Sequence, residues 1–415
     1  MSKMEGWKSE RLGDLFETGS GTTPLSTNAI YYEGNINWLL TGDLNDGIIR
    51  DTSKKISDKA LKDYSTLKMY PKRSVVIALY GATIGKLGFL EIESTTNQAC
   101  CVLFNSQSMQ QDYLFYNLLF SKNRILALAV GGGQPNISQN IIKNFIVSFP
   151  TSLTEQKKIA SILSTIDSSI TQTEQLIAKY KNIKQGLMHD LLTYGIDQNG
   201  TIRDPHTHSF VEKNGMMVPE EWEAKRIDEI SEVNPNREKE IPSIVSFVAM
   251  GDVSENAKLM SPKLTELRLV KNGFTPFKRG DILVAKITPC FENGKGAFLN
   301  ELYTEYGFGS TEFHVLRSKI NAYFLYSHTT SIPFRNKLSS QMTGSAGQQR
   351  VSTDAIRTYK IGIPSKIEQQ KIAEILETQD NLIESEQTNL AKLQKLKQGL
   401  MQDLLTGKVR VNCNH

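Results

Sequence analysis

The chain is written twice. Residues 7–12 (WKSERL) return as residues 222–227 (WEAKRI), 215 positions on, so that Trp7 answers to Trp222. Residues 133–138 (GQPNIS) match 347–352 (GQQRVS), and Pro150 matches Pro364, both at an offset of 214. Residues 155–160 (EQKKIA) match 368–373 (EQQKIA), and 185–192 (QGLMHDLL) match 398–405 (QGLMQDLL), both at 213. Ordered matches whose offset drifts by only two residues mark a duplication, so each half must build the same frame. Residues 17–130 and 232–344 share little beyond scattered apolar positions. A common frame around unlike interiors fits one scaffold presenting two specificities; neutral drift of surface loops is the alternative.

At 415 residues the chain exceeds one ordinary domain, and its 39% hydrophobic and 22% charged residues suit a soluble folded protein. No apolar run is long enough to cross a bilayer, and the start lacks the apolar core of a signal peptide, so a cytoplasmic location is expected. A net charge of +4 is compatible with a nucleic-acid partner but does not require one. Cys100, Cys101, Cys290 and Cys413 show no CxxC spacing, and the six histidines suggest no metal constellation. Neither a disulfide nor a metal site is expected.

After Pro150 the pattern turns helical. Ile159, Ile162, Ile166, Leu176, Tyr180, Ile183 and Leu187 fall at alternating three- and four-residue steps, with Ser169 and Thr173 as breaks and Ile170 and Ile177 widening the stripe. The second copy runs Ile372, Ile375, Leu382, Leu393, Leu396 and Leu400, broken by Gln379, Glu386 and Asn389. Each segment spans roughly 40 residues, or about 60 Å of helix. Such a stripe needs a partner. The nearest is its own repeat, which predicts an antiparallel intramolecular coiled coil; homodimerisation is the other way to bury it. The expected organisation is a first domain over 1–150, a long helix over 151–194, a linker over 195–219, a second domain over 220–364, a second helix over 365–406 and a tail over 407–415. The linker is polar and rich in turn formers, and its His206 and His208 read as loop histidines before a metal pair.

Both domain interiors read as mixed α and β, with strand-like runs at 74–80 (SVVIALY), Cys100–Phe104 and 281–287 (DILVAKI). Glycine-bearing segments follow two of these runs, at 81–86 (GATIGK) and 288–296 (TPCFENGKG). The first is no phosphate-binding P-loop, because only three residues separate Gly81 from Gly85 and Leu87 stands where Ser or Thr belongs. Thr83, Lys86, Lys286 and Lys295, in or beside these segments, are candidate DNA contacts, with a plain hairpin turn as the alternative. The loops at 133–138 and 347–352 add Gln134, Asn136, Ser138, Gln348, Gln349 and Arg350: amides suited to adenine edges, and a guanidinium suited to guanine or phosphate. A capped turn before Ile142 or Ile356 is the alternative there. Catalytic motifs are lacking. Asn234-Pro235-Asn236 is the nearest approach to a methyltransferase tetrad, and no Walker, helicase, HExxH or carboxylate–lysine nuclease pattern occurs. No catalytic residue is expected.

The duplicated frame resembles the specificity (S) subunits of Type I restriction–modification systems over nearly the whole chain. The marks are residues 155–163 (EQKKIASIL), 368–376 (EQQKIAEIL) and 397–411 (KQGLMQDLLTGKVRV), supported by Pro219-Glu-Glu-Trp222, residues 81–86 followed by Thr96-Asn97-Gln98, and Gly309-Ser-Thr-Glu-Phe313. The first helix departs from the pattern, ending Leu191-Leu192-Thr193-Tyr194-Gly195 in place of LLTGK. The resemblance implies an α+β fold: two repeated mixed α/β target-recognition domains separated by two long antiparallel helices forming an intramolecular coiled coil. Each domain would read one half of a bipartite target in double-stranded DNA. The helices would set the spacing and dock two modification subunits that carry S-adenosylmethionine and methylate adenine. Restriction subunits would add translocation and cleavage with ATP and Mg. No cofactor is expected in this subunit, and no membrane. Two other readings compete: a self-contained DNA methyltransferase or nuclease, and a coiled-coil adaptor with no DNA role.

Overall fold

The structure, a computed structural model, describes residues 5–130, 135–345 and 347–412. The chain builds two compact units, Met1–Glu174 with Thr388–His415, and Gln175–Gln387. These bounds cut through both long helices, because the helix ends bury their apolar residues in the domain cores.

In the first unit, Val75–Ala78 lies inside a five-stranded sheet ordered Glu17–Gly19, Cys100–Phe104, Val75–Ala78, Leu87–Leu90, Gly47–Ile49. The central strand is apolar throughout because both sheet faces are covered. Val75, Ile77, Cys101 and Leu103 point into a core with Leu12, Tyr113 and Phe149, while Val76, Ala78, Cys100 and Val102 point the other way, against Leu39, Leu44 and Tyr70. A small sheet of Lys54–Ile56, Ile36–Leu39 and Thr95–Thr96 stands beside it. The second unit repeats the sheet as Ser231–Val233, Phe313–Ser318, Ile282–Ala285, Gly296–Phe298, the same order without the fifth strand. Its side sheet repeats the first one with a strand added: Lys263–Glu266, Ile244–Val248 and Tyr306–Gly309 keep the antiparallel and parallel pairings of the first unit, and Thr275–Lys278 joins at the edge.

The sequence matches mark the shared frame. Trp7–Arg11 pairs antiparallel with Ile146–Pro150, and Glu223–Arg226 with Lys360–Ile363. At the start of each long helix a buried glutamine ties the helix back to its domain. Gln156 donates to Pro150 O at 2.8 Å and accepts from Gln110 N at 2.7 Å; Gln369 donates to Pro364 O at 2.9 Å and accepts from Asn321 N at 3.1 Å. The glutamate beside each glutamine holds an arginine. Arg410 reaches Glu155 through Nε at 2.6 Å and Nη2 at 2.8 Å, while Arg203 Nη2 reaches Glu368 at 3.1 Å and its Nη1 bonds the same carboxylate. Arg203 belongs to the segment expected as a polar linker. That segment is instead folded into the second unit: it carries a hairpin of Phe210–Lys213 with Met216–Pro219, buries Ile196 and Val218, and sets His208 Nε2 3.1 Å from Glu221. Gly195 fits here at φ +66°, where a Cβ would lie 2.2 Å from Trp222.

The long helices are Leu153–Thr193 and Lys366–Leu405. In the first unit, Ile159, Ala160 and Leu163 from the start of one share a core with Met401, Leu404 and Leu405 from the end of the other. In the second unit, Leu191 and Leu192 pack with Ile372 and Leu376. The pairing is antiparallel in both units, and a polar clasp recurs. Lys397 meets Asp167 at 2.6 Å, with Tyr116 Oη donating to Asp167 at 3.0 Å; Lys184 meets Asp380 at 2.6 Å, with Tyr323 Oη donating at 2.7 Å.

The seam itself corrects the expected one. Positions 159, 163, 166, 170, 173, 177, 180, 184, 187 and 191 are all buried or half-buried, at strictly alternating four- and three-residue steps, and so are 372, 376, 379, 383, 386, 390, 393, 397, 400 and 404. Ile159, Ile166, Leu187, Ile372, Leu393 and Leu400 lie on these buried or half-buried positions. Ile162, Leu176 and Ile375 are half-buried flanking residues, and Ile183, Leu382 and Leu396 are 40%, 43% and 51% exposed. The physical reason is that apolar neighbours such as Ile162 and Leu163, or Leu176 and Ile177, let the pattern be read in two frames. The clasps decide between them by seating Lys184 and Lys397, aliphatic stems inward, at seam positions.

Candidate nucleic-acid interface

In the first unit, Val75–Ala78 and Leu87–Leu90 are joined by a tight hairpin. Ala78 N donates to Lys86 O and Gly85 N to Ala78 O, both at 2.9 Å. Gly85 takes φ +73°, and a Cβ there would lie 2.8 Å from Leu126, so glycine is what lets the turn close. Thr83 and Lys86 are half-buried on this hairpin. A second segment comes up beside it: Ile137 N donates to Leu79 O at 2.7 Å, and Asn136 bridges both Tyr80 and Val130. The side chain of Asn136 is exposed, whereas Ser138 caps the helix Gln139–Asn144, its hydroxyl accepting from Ile141 N at 3.2 Å. Gln134 lies outside the described residues. Exposed Tyr80 and Val130 add an apolar rim.

The second unit builds the same place with different side chains. Ala285 N donates to Lys295 O at 3.1 Å, Val351 N donates to Lys286 O at 3.0 Å, and Arg350 bridges Ile287 and Thr343. Lys295 and Lys86 thus stand at equivalent places, as do Arg350 and Asn136. Ser352 caps its helix as Ser138 does, accepting from Ala355 N at 3.1 Å. Gln349 is half-buried and tied by its backbone to Thr288, with N to Oγ1 3.1 Å and O from Thr288 N 2.9 Å; Gln348 is exposed.

Charge concentrates here. Arg350 bonds Glu312 through Nε at 3.0 Å and Nη2 at 2.8 Å, and this contact holds the Glu312 carboxyl below its ordinary range. Lys286 Nζ donates to Thr311 O at 2.8 Å, and burial lowers its ammonium pKa. Lys295 Nζ donates to Met250 O at 3.2 Å. Beneath the loop, His314 is pushed down to about 4 by burial, so its ring is neutral; Nε2 lies 2.9 Å from Val351 O and anchors the segment that carries Arg350.

In each unit the structure therefore brings together two loops that the sequence showed only as separate candidates. The sequence pointed to Arg350 but missed Glu312 and Thr288. Glu312 was within reach, for it stands 213 residues after Ala99, the offset of the repeat itself. Neighbouring basic, amide and hydroxyl groups on exposed loops suit contacts with phosphates and base edges. Among the described residues no group of three or more His, Cys, Asp or Glu is placed to hold a metal ion, and no helix is long and apolar enough to cross a membrane.

Comparison with known proteins bears on this arrangement. The family model described as "Type I restriction modification DNA specificity domain" matches twice, over residues 4–182 and 219–395. The chain is 27% identical to the Type I restriction enzyme MjaVIII specificity subunit of Methanocaldococcus jannaschii, covering 98% of this chain and 94% of that one. It is 34% identical to the EcoEI specificity subunit of Escherichia coli over 45% of this chain and 33% of that one. Its fold is similar to that of a Type I restriction–modification S subunit from M. genitalium, with a TM-score of 0.61 at 14% identity, covering 97% and 98% of the two chains.

Proposed function

The chain belongs to the Type I restriction–modification DNA specificity family, and from that premise we propose that each of its two domains reads one half of a bipartite duplex target. It is the DNA-binding specificity subunit of such a system and carries no catalytic role of its own. The observation that supports split reading is the doubled loop pair: one backbone frame, bearing Asn136 in one copy and Arg350 in the other. Phosphate contacts would set register on the duplex, and side chains reaching base edges would set sequence.

The long helices are the proposed ruler and dock. Ile183 and Leu396, exposed apolar residues, stand at equivalent places in the two helices, so the chain offers the same surface twice and fits two modification subunits. S-adenosylmethionine, used to methylate adenine, would belong to those subunits, and ATP and Mg to restriction subunits acting in the cytoplasm. This chain would select the site at which they act. The apolar stripes expected to drive pairing are occupied within each unit, which favours this reading over homodimerisation through the seam.

Methylation sequencing of cells with the intact system and with this chain deleted tests the proposal. The expected result is a motif of two unlike half-sites around an unread gap, present only with the chain. A single continuous motif, or unchanged methylation after deletion, would overturn it.

A further inference from the structure

Three positions at the loop pair correspond between the domains by backbone bonding rather than by resemblance of side chains. Leu79 N donates to Ala99 O at 2.8 Å, and Lys286 N donates to Glu312 O at 2.8 Å. Asn136 bridges Tyr80 and Val130 where Arg350 bridges Ile287 and Thr343. Leu79, Ala99 and Asn136 are therefore replaced by Lys286, Glu312 and Arg350. We infer that Arg350, held by Glu312, reads a guanine in the half-site of the second domain, and that Asn136 at the corresponding place in the first reads an adenine. The inference rests on the DNA-reading function proposed above and names the residues that make the two readers differ.

The geometry favours a base over a phosphate. Glu312 engages one edge of the guanidinium, through Nε at 3.0 Å and Nη2 at 2.8 Å. The outer edge, formed by Nη1 and the second Nη2 hydrogen, is a two-donor fork of the kind that matches guanine O6 and N7. Its present contact, Nη1 to Gln348 O at 3.4 Å, is long enough for a base edge to replace. The Arg350 side chain is 46% exposed, so the fork is accessible. A phosphate approaching Arg350 would meet the Glu312 carboxylate as well, and two anions on one guanidinium repel. Glu312 also fixes the plane of the fork before DNA arrives, which lowers the ordering cost of binding. In the first domain Ala99 supplies no carboxylate, and the exposed Asn136 amide offers the donor–acceptor pair that adenine N6 and N7 require.

The test is the methylation motif of cells carrying the complete system with variants of this chain. Arg350→Asn is expected to cost about tenfold or more in discrimination at one G·C pair of one half-site and to leave the other half-site unchanged. Glu312→Gln keeps the hydrogen bonds but loses the charge, and is expected to relax the same pair less severely. Asn136→Arg with Ala99→Glu is expected to move one position of the other half-site from adenine towards guanine. An unchanged motif in Arg350→Asn, or a loss spread evenly over all sequences with a shallower salt dependence, would overturn the inference, the latter by marking a phosphate contact. Should Arg350→Asn abolish modification outright, Glu312→Gln decides, since relaxation at a single pair supports the inference and an unaltered motif refutes it. A native system with no bipartite motif would instead sink the DNA-reading function itself.

Discussion

Glu368 gathers three residues at the frame. It accepts from Ile196 N at 2.9 Å and Trp222 Nε1 at 3.2 Å, and it takes both terminal nitrogens of Arg203. The side chains of Arg203 and Glu368 are only 6% and 10% exposed, so removing the acid strands a cation inside the domain. Glu368→Ala should cost roughly 3–5 kcal/mol. Its counterpart Glu155 is as deeply buried, but Arg410 is 46% exposed and can turn to water, and Trp7 Nε1 has no partner among the described residues. Glu155→Ala should therefore cost less. Denaturant unfolding of the two variants checks the order, and equal losses would contradict it. Both glutamates stood out in the sequence because they repeat within EQ motifs. Their arginines did not. The stretch from Leu192 to Arg203 is longer than that from Leu405 to Arg410, so the repeat falls out of step where the partner enters. Arg350 stood out because its loop repeats, but its pairing with Glu312 did not, since an ion pair that exists in one copy only leaves no internal echo.

Elements were legible in proportion to their length. Two helices of 41 and 40 residues carry enough heptads to declare themselves, whereas the two- to five-residue strands of the side sheets have no periodicity to read and are fixed by their neighbours. Even the helices left one matter open. A sequence offering Ile162 beside Leu163 and Leu382 beside Ile383 supports two seams, and only packing chooses. The choice is measurable. Leu376 is fully buried at a seam position and Leu382 is 43% exposed, so Leu376→Ala should destabilise the second unit by roughly 2–5 kcal/mol. Leu382→Ala should stay within about 0.5 kcal/mol, as an exposed substitution does. A reversed order, read from denaturant midpoints, would restore the other seam. If the modification subunits use the exposed positions, Leu382→Ala and Leu396→Ala should weaken assembly while leaving the fold intact.

For the whole molecule, the duplication was legible from the sequence, whereas the place where the chain divides was not. The division falls inside the helices, after Glu174 and after Gln387. Each unit keeps its own clasp, Lys397 with Asp167 in one and Lys184 with Asp380 in the other, and neither is reached by a change made at the dividing points. That gives the ruler proposal a clean test. Four residues inserted after Glu174 and four more after Gln387 add about one helical turn to each strand of the pair, so the seam re-forms on nearly the same face while the helices lengthen by about 6 Å. At ~3.4 Å per base pair that is between one and two steps of duplex. Methylation sequencing should then return both original half-sites with the unread gap longer by one or two base pairs. An insertion in a single helix shifts one seam against the other by four positions, and it should abolish modification rather than change the gap. If the matched insertion altered the half-sites, or left the gap as it was, the spacing would be set by the recognition domains or their partners, and the helices would serve only to dock them.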